Sequence, residues 1–183
     1  MDKTTRKHLD NLHSKEGDLR YRALMYILSA TERKVDWAYE VWDGLVADLR
    51  DEDNHVRAIA AQVLSNLGKS DPQGRMLKDF RAVLAVTRDE RFVTARHALQ
   101  SIWRVGAAGK KQQKVVVDGL AARFRECAAE KNSTLIRYDI VVGLRKLYDE
   151  VHDEKVREKA LDLISTEQDP KYRKKYEGVW KNA

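Results

Sequence analysis

Residues 51–68 read Asp51-Glu52-Asp53-Asn54-His55-Val56-Arg57-Ala58-Ile59-Ala60-Ala61-Gln62-Val63-Leu64-Ser65-Asn66-Leu67-Gly68. Val56, Ile59, Ala60, Val63, Leu64 and Leu67 recur at the three- and four-residue spacing of one helix face. Moved forward by 38 positions, the stretch aligns with Asp89–Gly106 without a gap. Ala60 then meets Ala98, Leu64 meets Ile102, Leu67 meets Val105, and the closing glycines coincide. A pattern that repeats at this interval is the mark of stacked units that cannot bury their apolar faces alone.

The same frame extends in both directions. It takes in Leu19-Arg20 with Ala23 and Ile27, Ile136-Arg137 with Ile140 and Leu144, and Tyr172-Arg173 with Tyr176 and Trp180. The markers at 20, 57, 95, 137 and 173 are 37, 38, 42 and 36 residues apart. Further amphipathic segments lie between them, at 3–14, 34–50, 73–87, 110–131 and 152–166. These predict ten helices in five antiparallel pairs, within one domain, at about 1–31, 32–69, 70–108, 109–150 and 151–183. Val115-Val116-Val117 is the one β-branched cluster, and it lies inside a helical pattern. Asp71-Pro72 and Asp169-Pro170 each place an N-cap acceptor before a proline at the first helical position. Asn132 or Ser133 can cap the helix beginning near Thr134, and Gly68 and Gly106 stand where left-handed C-terminal caps are expected.

The segment Asp51…Val56-Arg57…Ala60…Leu64 resembles the second helix of the HEAT-repeat family, which reads Asp, a short gap, Val-Arg, then Ala and Leu. Asp169-Pro170…Tyr172-Arg173 matches the start of that pattern. The resemblance covers essentially the whole chain. It departs where Thr94-Ala95 replaces Val-Arg and where Ile140 replaces the small Ala, and Val156-Arg157…Ala160 repeats the motif on a first helix. The resemblance implies an all-α fold, a right-handed α-solenoid of about five HEAT-like pairs. It also implies an Asp–Arg ladder between adjacent units, giving Asp51, Arg57, Arg137 and Arg173 structural roles. Helix 3–14, through Leu9 and Leu12, would seal one end, and Tyr172, Tyr176, Val179 and Trp180 the other.

Composition agrees. The 183 residues are 43% apolar, enough for a core, and 35% charged with both signs interspersed, as solvated helix faces require. Two Pro and nine Gly exclude collagen-like or proline-rich chains. The single cysteine, Cys127, excludes an internal disulfide and favours a reducing compartment. The longest apolar run, Ala23–Leu28, is far short of a membrane span, and Met1–His8 contains no apolar signal core. A cytoplasmic protein that does not engage a membrane is expected.

No catalytic signature is present: no glycine-rich phosphate loop, Gly-x-Ser-x-Gly elbow or His-Glu-x-x-His. Di-iron hydroxylases with HEAT-like folds carry adjacent His-Glu pairs, and this chain has none. No metal, no cofactor and no enzymatic activity are therefore expected. A remote enzymatic reading comes from HEAT-like alkylpurine DNA glycosylases, which set an Asp beside Trp side chains; Trp42-Asp43, with Trp37 nearby, has that composition. Against it, Trp42 falls on the apolar stripe of helix 34–50 and Asp43 points outward. Cys127 falls on the stripe of Val116, Leu120 and Phe124, as a buried inert thiol does.

The stronger signal is a surface. Projected through the repeat frame, the inner positions of the second helices are Tyr21, Met25 and Leu28; Ala58, Gln62 and Ser65; Arg96, Gln100 and Trp103; Tyr138, Val142 and Arg145; Lys174, Gly178 and Lys181. The binding residues expected from this lane are Arg96, Gln100, Trp103, Tyr138, Arg145, Lys174 and Lys181. Charge follows the same gradient: residues 1–100 hold 17 basic and 16 acidic side chains, residues 101–183 hold 18 and 13. Arg with aromatic rings suits a protein or peptide partner of acidic character bound along a concave groove. The alternative is a nucleic-acid backbone, with cations on phosphates and rings for stacking.

Overall fold

The computed structural model describes residues 1–181, and among these every regular element is helical. The residues group into two compact units, Met1–Ala98 and Leu99–Ala183.

The first unit holds α1 (Lys3–Asn11), α2 (Gly17–Ala30), α3 (Ala38–Asp48), α4 (Asn54–Leu67), α5 (Arg75–Val86) and the start of α6 (Phe92–Ser101). Asp2 opens α1 by accepting from the Thr4 and Thr5 amides, and Asp53 opens α4 by accepting from that of His55. Each carboxylate satisfies donors that a helix start leaves without a partner. α1 packs on α2, α3 on α4, and α4 also takes α2 and α5. Ten α4 residues, Val56, Ala58 to Ala61 and Val63 to Leu67, are therefore buried, and Ile27, Trp42 and Met76 complete the core around them.

Polar cross-links set the spacing of the second helices. Asn66 Nδ2 donates to Leu28 O at 3.1 Å and Thr31 Oγ1 at 3.0 Å, tying α4 to the end of α2. Thr94 Oγ1 donates to Asn54 O at 3.1 Å, tying the start of α6 to α4. Arg57 reaches forward with both arms of its guanidinium, Nε to Asp89 Oδ2 at 2.6 Å and Nη2 to Asp89 Oδ1 at 3.0 Å. Its Nη1 donates back to Asp51 O at 2.8 Å. Asp51 thus meets Arg57 through its main-chain carbonyl, while its carboxylate accepts from the Asp53 amide at 2.7 Å.

Three local expectations change here. The helix expected from residue 73 begins at Arg75, because Pro72 and Gln73 form a turn closed by Gly74 at φ 70°. Asp71 still serves that helix, accepting from the Arg75 amide at 2.9 Å and the Met76 amide at 2.7 Å. Gly68 is right-handed at φ −51°, because a short 3₁₀ turn, Gly68–Ser70, continues directly from α4. Ala58 and Ser65, projected onto the inner lane as binding surface, are buried. Ser65 turns its hydroxyl onto its own helix, donating to Ala61 O at 2.7 Å.

The second unit holds the end of α6, then α7 (Trp103–Gly106), α8 (Lys110–Glu126), α9 (Ser133–Val151), α10 (Glu154–Ser165) and α11 (Pro170–Trp180). The helix expected to run unbroken to Gly106 is interrupted at Ile102. Gly106 is helical, not a left-handed cap, and its role is close approach: a Cβ there would lie 2.9 Å from Leu147 Cδ2. α11 begins as the sequence indicates, with Asp169 accepting from the Lys171 amide and Pro170 in the first position. Asn132 precedes α9 but makes no capping bond through its side chain.

Arg137 repeats the forward reach of Arg57, with Nη1 to Glu167 Oε2 at 2.8 Å and Nε to Phe124 O at 3.1 Å. Arg173 closes onto Glu167 O through Nε at 2.8 Å. Ala95 stands at the third marker, buried and without a guanidinium, whereas Arg123 of α8, 1% exposed, grips Glu130 with both arms at 2.5 and 2.8 Å. Tyr176 and Trp180 are buried on α11, and Tyr176 donates to Thr134 O at 2.9 Å. Leu12 is buried and Leu9 half-buried near the N-terminus.

Candidate functional site

In the first unit α2, α4 and α6 enclose a groove of about 740 Å³. Leu24, Leu28, Ala58 and Ile59 form its apolar floor, and Tyr21, Met25, Phe92 and Val93 line it with larger side chains. Tyr21 is 63% exposed, Met25 49% and Val93 63%. Among the described residues these are three of the five large apolar side chains that stand open to solvent, so exposed apolar surface is concentrated here. A concentrated patch of this kind is the usual sign of a docking site, where scattered exposed residues are not.

The cationic members of the lining are Arg20 and Arg91, joined by the imidazoles of His55 and His97, with no carboxylate among the described lining residues; burial holds the His97 ring below its ordinary range, on the neutral side. Beside the groove, Asp53 lies 3.9 Å from Arg20 Nη1. His55 donates to Asp53 through its amide at 2.8 Å, and its ring nitrogen lies 2.9 Å from the same carboxylate. These bonds hold the Asp53 carboxyl below its ordinary range. Burial raises the Asp89 carboxyl, but the bonds from Arg57 and the Arg91 amide outweigh it, so the group lies below its ordinary range and stays ionised. The groove therefore combines apolar walls with basic and neutral polar edges.

The lane residues of the later repeats are arranged differently. Arg96 lies on α6 within the first unit, its guanidinium 5.9 Å from the ring centre of Phe92. In the second unit Gln100 Nε2 donates to Asp139 Oδ1 at 3.2 Å, and Trp103 Nε1 donates back to Gln100 O at 3.1 Å. Tyr138 is half-buried with Lys175 Nζ 4.4 Å from its ring centre, and Trp103 carries Arg104 at 4.8 Å. Arg145 binds Asp149 at 2.7 Å and Val179 O at 3.0 Å, with its guanidinium 5.8 Å from the Trp180 ring centre. Lys174 is exposed on α11, and Lys181 is exposed just past its end. Gln100, Trp103, Tyr138 and Arg145 thus share the surface built by the end of α6, α7, α9 and α11, but most of their polar groups are engaged within the protein.

The groove adds Val93, Phe92, Arg91 and His97 to the residues projected from the frame. Val93 lies 38 positions after His55, so one more row of the same repeat, a turn earlier on each helix, would have found it. Trp42 is fully buried and donates from Nε1 to Asp79 Oδ2 at 2.9 Å, leaving no ring face for a nucleobase. Asp43 is exposed and paired with Arg75. Cys127 is buried, and burial raises its thiol above the ordinary range, as in an inert core cysteine. No described helix is long and apolar enough to cross a membrane. No protein-family model matches the chain, and no curated protein matches it.

Proposed function

We propose that this protein is a non-catalytic scaffold that binds a protein or peptide partner of acidic character in the groove between α2, α4 and α6. The observation that carries the reading is the coincidence of exposed Tyr21, Met25 and Val93 with a lining whose cations are Arg20 and Arg91 and which holds no carboxylate among the described residues. Apolar and aromatic anchors supply contact energy, and basic edges select an acidic segment and speed its encounter. A groove between parallel ridges suits a partner segment with an apolar face and flanking carboxylates. The finer architecture we propose is a right-handed solenoid of HEAT-like pairs. Its support is that the forward-reaching arginine recurs in both units, as Arg57–Asp89 and Arg137–Glu167. A cytoplasmic location is proposed from the single, reduced and buried cysteine.

The test compares wild type with a Met25→Glu, Val93→Glu double variant in nuclease-treated native lysate. The expected result is a protein captured by wild type and lost from the variant, with helical content unchanged. Retention of the same partner by the variant would remove the groove from the proposal.

A second reading, a nucleic-acid backbone bound on the second unit, is favoured by one observation: Lys175 over Tyr138 and Arg104 over Trp103 pair cations with rings. It predicts capture that nuclease abolishes, with affinity falling log-linearly as salt rises.

A further inference from the structure

Away from the groove, on the second unit, α8 and α10 pack together and leave a cleft of about 380 Å³ between them. Four lysines line it. Lys110 and Lys114 are one turn apart on α8, and Lys155 and Lys159 are one turn apart on α10. Val117 and Val156 supply an apolar floor. Both valines are buried, so the ammonium groups stand over a poorly polarisable base that screens them less than open water does.

Two carboxylates also line the cleft, and both are already committed. Asp153 caps α10 through its Oδ1, which accepts from the Lys155 amide at 3.0 Å. Its Oδ2 accepts from Lys110 Nζ at 2.8 Å and Gln113 Nε2 at 2.7 Å. These bonds hold its carboxyl far below the ordinary range, so it remains ionised and keeps Lys110 in place. Asp118 takes Lys114 at 2.5 Å. Four ammonium groups thus face two carboxylates, and among the described residues the surplus falls on Lys155 and Lys159.

The geometry points to a binding site for a short chain of linked phosphates in this cleft. The volume suits a small ligand, at the low end of the usual range of about 300–1,000 Å³. The charge is dense: two lysine pairs, each one helical turn long, face one small space, which matches an oligophosphate better than a phosphodiester strand with one charge per nucleotide. No aromatic side chain lines the cleft, so the bases of a single strand would find no stacking platform. The site is independent of the groove and of the partner proposed for it.

The test titrates the full chain with inorganic tripolyphosphate by calorimetry. Three variants are compared: Lys155→Glu with Lys159→Glu, the milder Lys155→Gln with Lys159→Gln, and a control with Lys174→Glu and Lys175→Glu on α11. Wild type is expected to bind one tripolyphosphate. The first variant should bind at least tenfold more weakly, the second should fall between, and the control should change less than twofold, all with unchanged helical content. Absence of binding by wild type would overturn the proposal. So would equal losses in the cleft and control variants, which would mark non-specific attraction to a basic protein. A thymidine oligonucleotide provides the last arm. If it binds through Lys155 and Lys159 while tripolyphosphate does not, the argument from charge density fails.

Discussion

The groove of the first unit and the surface of α7, α9 and α11 in the second spend their side chains differently. In the groove, Tyr21, Met25 and Val93 project into solvent. In the second unit the surface carries Trp103, Tyr138 and Arg145, each stacked or bonded to a neighbour in the same unit. Residue type alone favours the second surface as the interface, since Trp, Tyr and Arg dominate hot spots. Accessibility favours the first. An anchor must be free to meet a partner, and Arg145, which already bonds Asp149 and Val179 O, would have to surrender those bonds.

The largest expected effect tests whether the second surface is structural. Trp180 is 5% exposed and supports both Arg145 and Tyr148. Trp180→Ala is expected to destabilise the protein by about 3–5 kcal/mol, as large aromatic truncations in cores do. Chemical denaturation followed by circular dichroism measures it. A midpoint equal to that of wild type would show that the ring contributes nothing to the second unit and would blur the contrast with the groove.

Next in size are the arginine rungs, which the two regions share. The Asp89 and Glu167 side chains are 5% and 6% exposed, so Arg57→Ala or Arg137→Ala strands a buried carboxylate. Each is expected to cost about 3 kcal/mol, at the low end for a broken buried pair because both arginines retain some exposure. The Arg57 rung also carries a pH signature. With its folded-state value lowered, Asp89 contributes stability that is complete above its unfolded value of about 3.9 and is lost as pH falls below it. The gap in stability between wild type and Arg57→Ala should therefore narrow on acidification below about pH 4. A gap that stays constant with pH would mean that Arg57 acts through its bonds to the Asp51 and Glu52 carbonyls instead.

Smaller still is the expected effect of groove variants on stability. Met25→Glu and Val93→Glu should each stay within about 0.5 kcal/mol of wild type, because exposed positions lose little on substitution. That near-silence in folding, set against loss of the partner, is what separates a docking surface from a core. A loss of several kcal/mol would place Met25 and Val93 with Trp180.

The helical fold was legible because its signal is periodic. Val56 through Leu67 and its copy 38 residues on specify amphipathic helices by spacing alone, and Asp169 caps α11 ahead of Pro170 as its side chain allows. What the sequence concealed depends on neighbours distant in the chain. Ser65 and Ala58 occupy the same frame positions as half-buried Leu28 and exposed Tyr21, but α4 receives helices from several sides and closes over them. Gly106 carries a glycine for the sake of Leu147, 41 positions away, which no local cap rule reveals. Arg145 and Tyr138 both lie on α9. That Arg145 bonds Val179 O and that Lys175 covers the Tyr138 ring depends on α11, whose register against α9 is a tertiary fact.

A change of charge alone bears on that engagement directly. Lys175 Nζ lies 4.4 Å from the Tyr138 ring centre, on a surface where both groups meet water. Lys175→Met keeps an apolar stem over the ring and removes only the charge, so its cost isolates the cation–ring attraction, about 0.5–1 kcal/mol at such a site. The denaturation midpoint should fall by that amount at low salt, and by less at high salt because mobile ions screen an exposed charge. Lys175→Ala should cost somewhat more, since the stem is lost as well. If Lys175→Met leaves the midpoint unmoved at every salt concentration, the ammonium contributes nothing to the stack. The ring face of Tyr138 would then be available to a ligand, and the second surface would have to be reckoned as open as the groove.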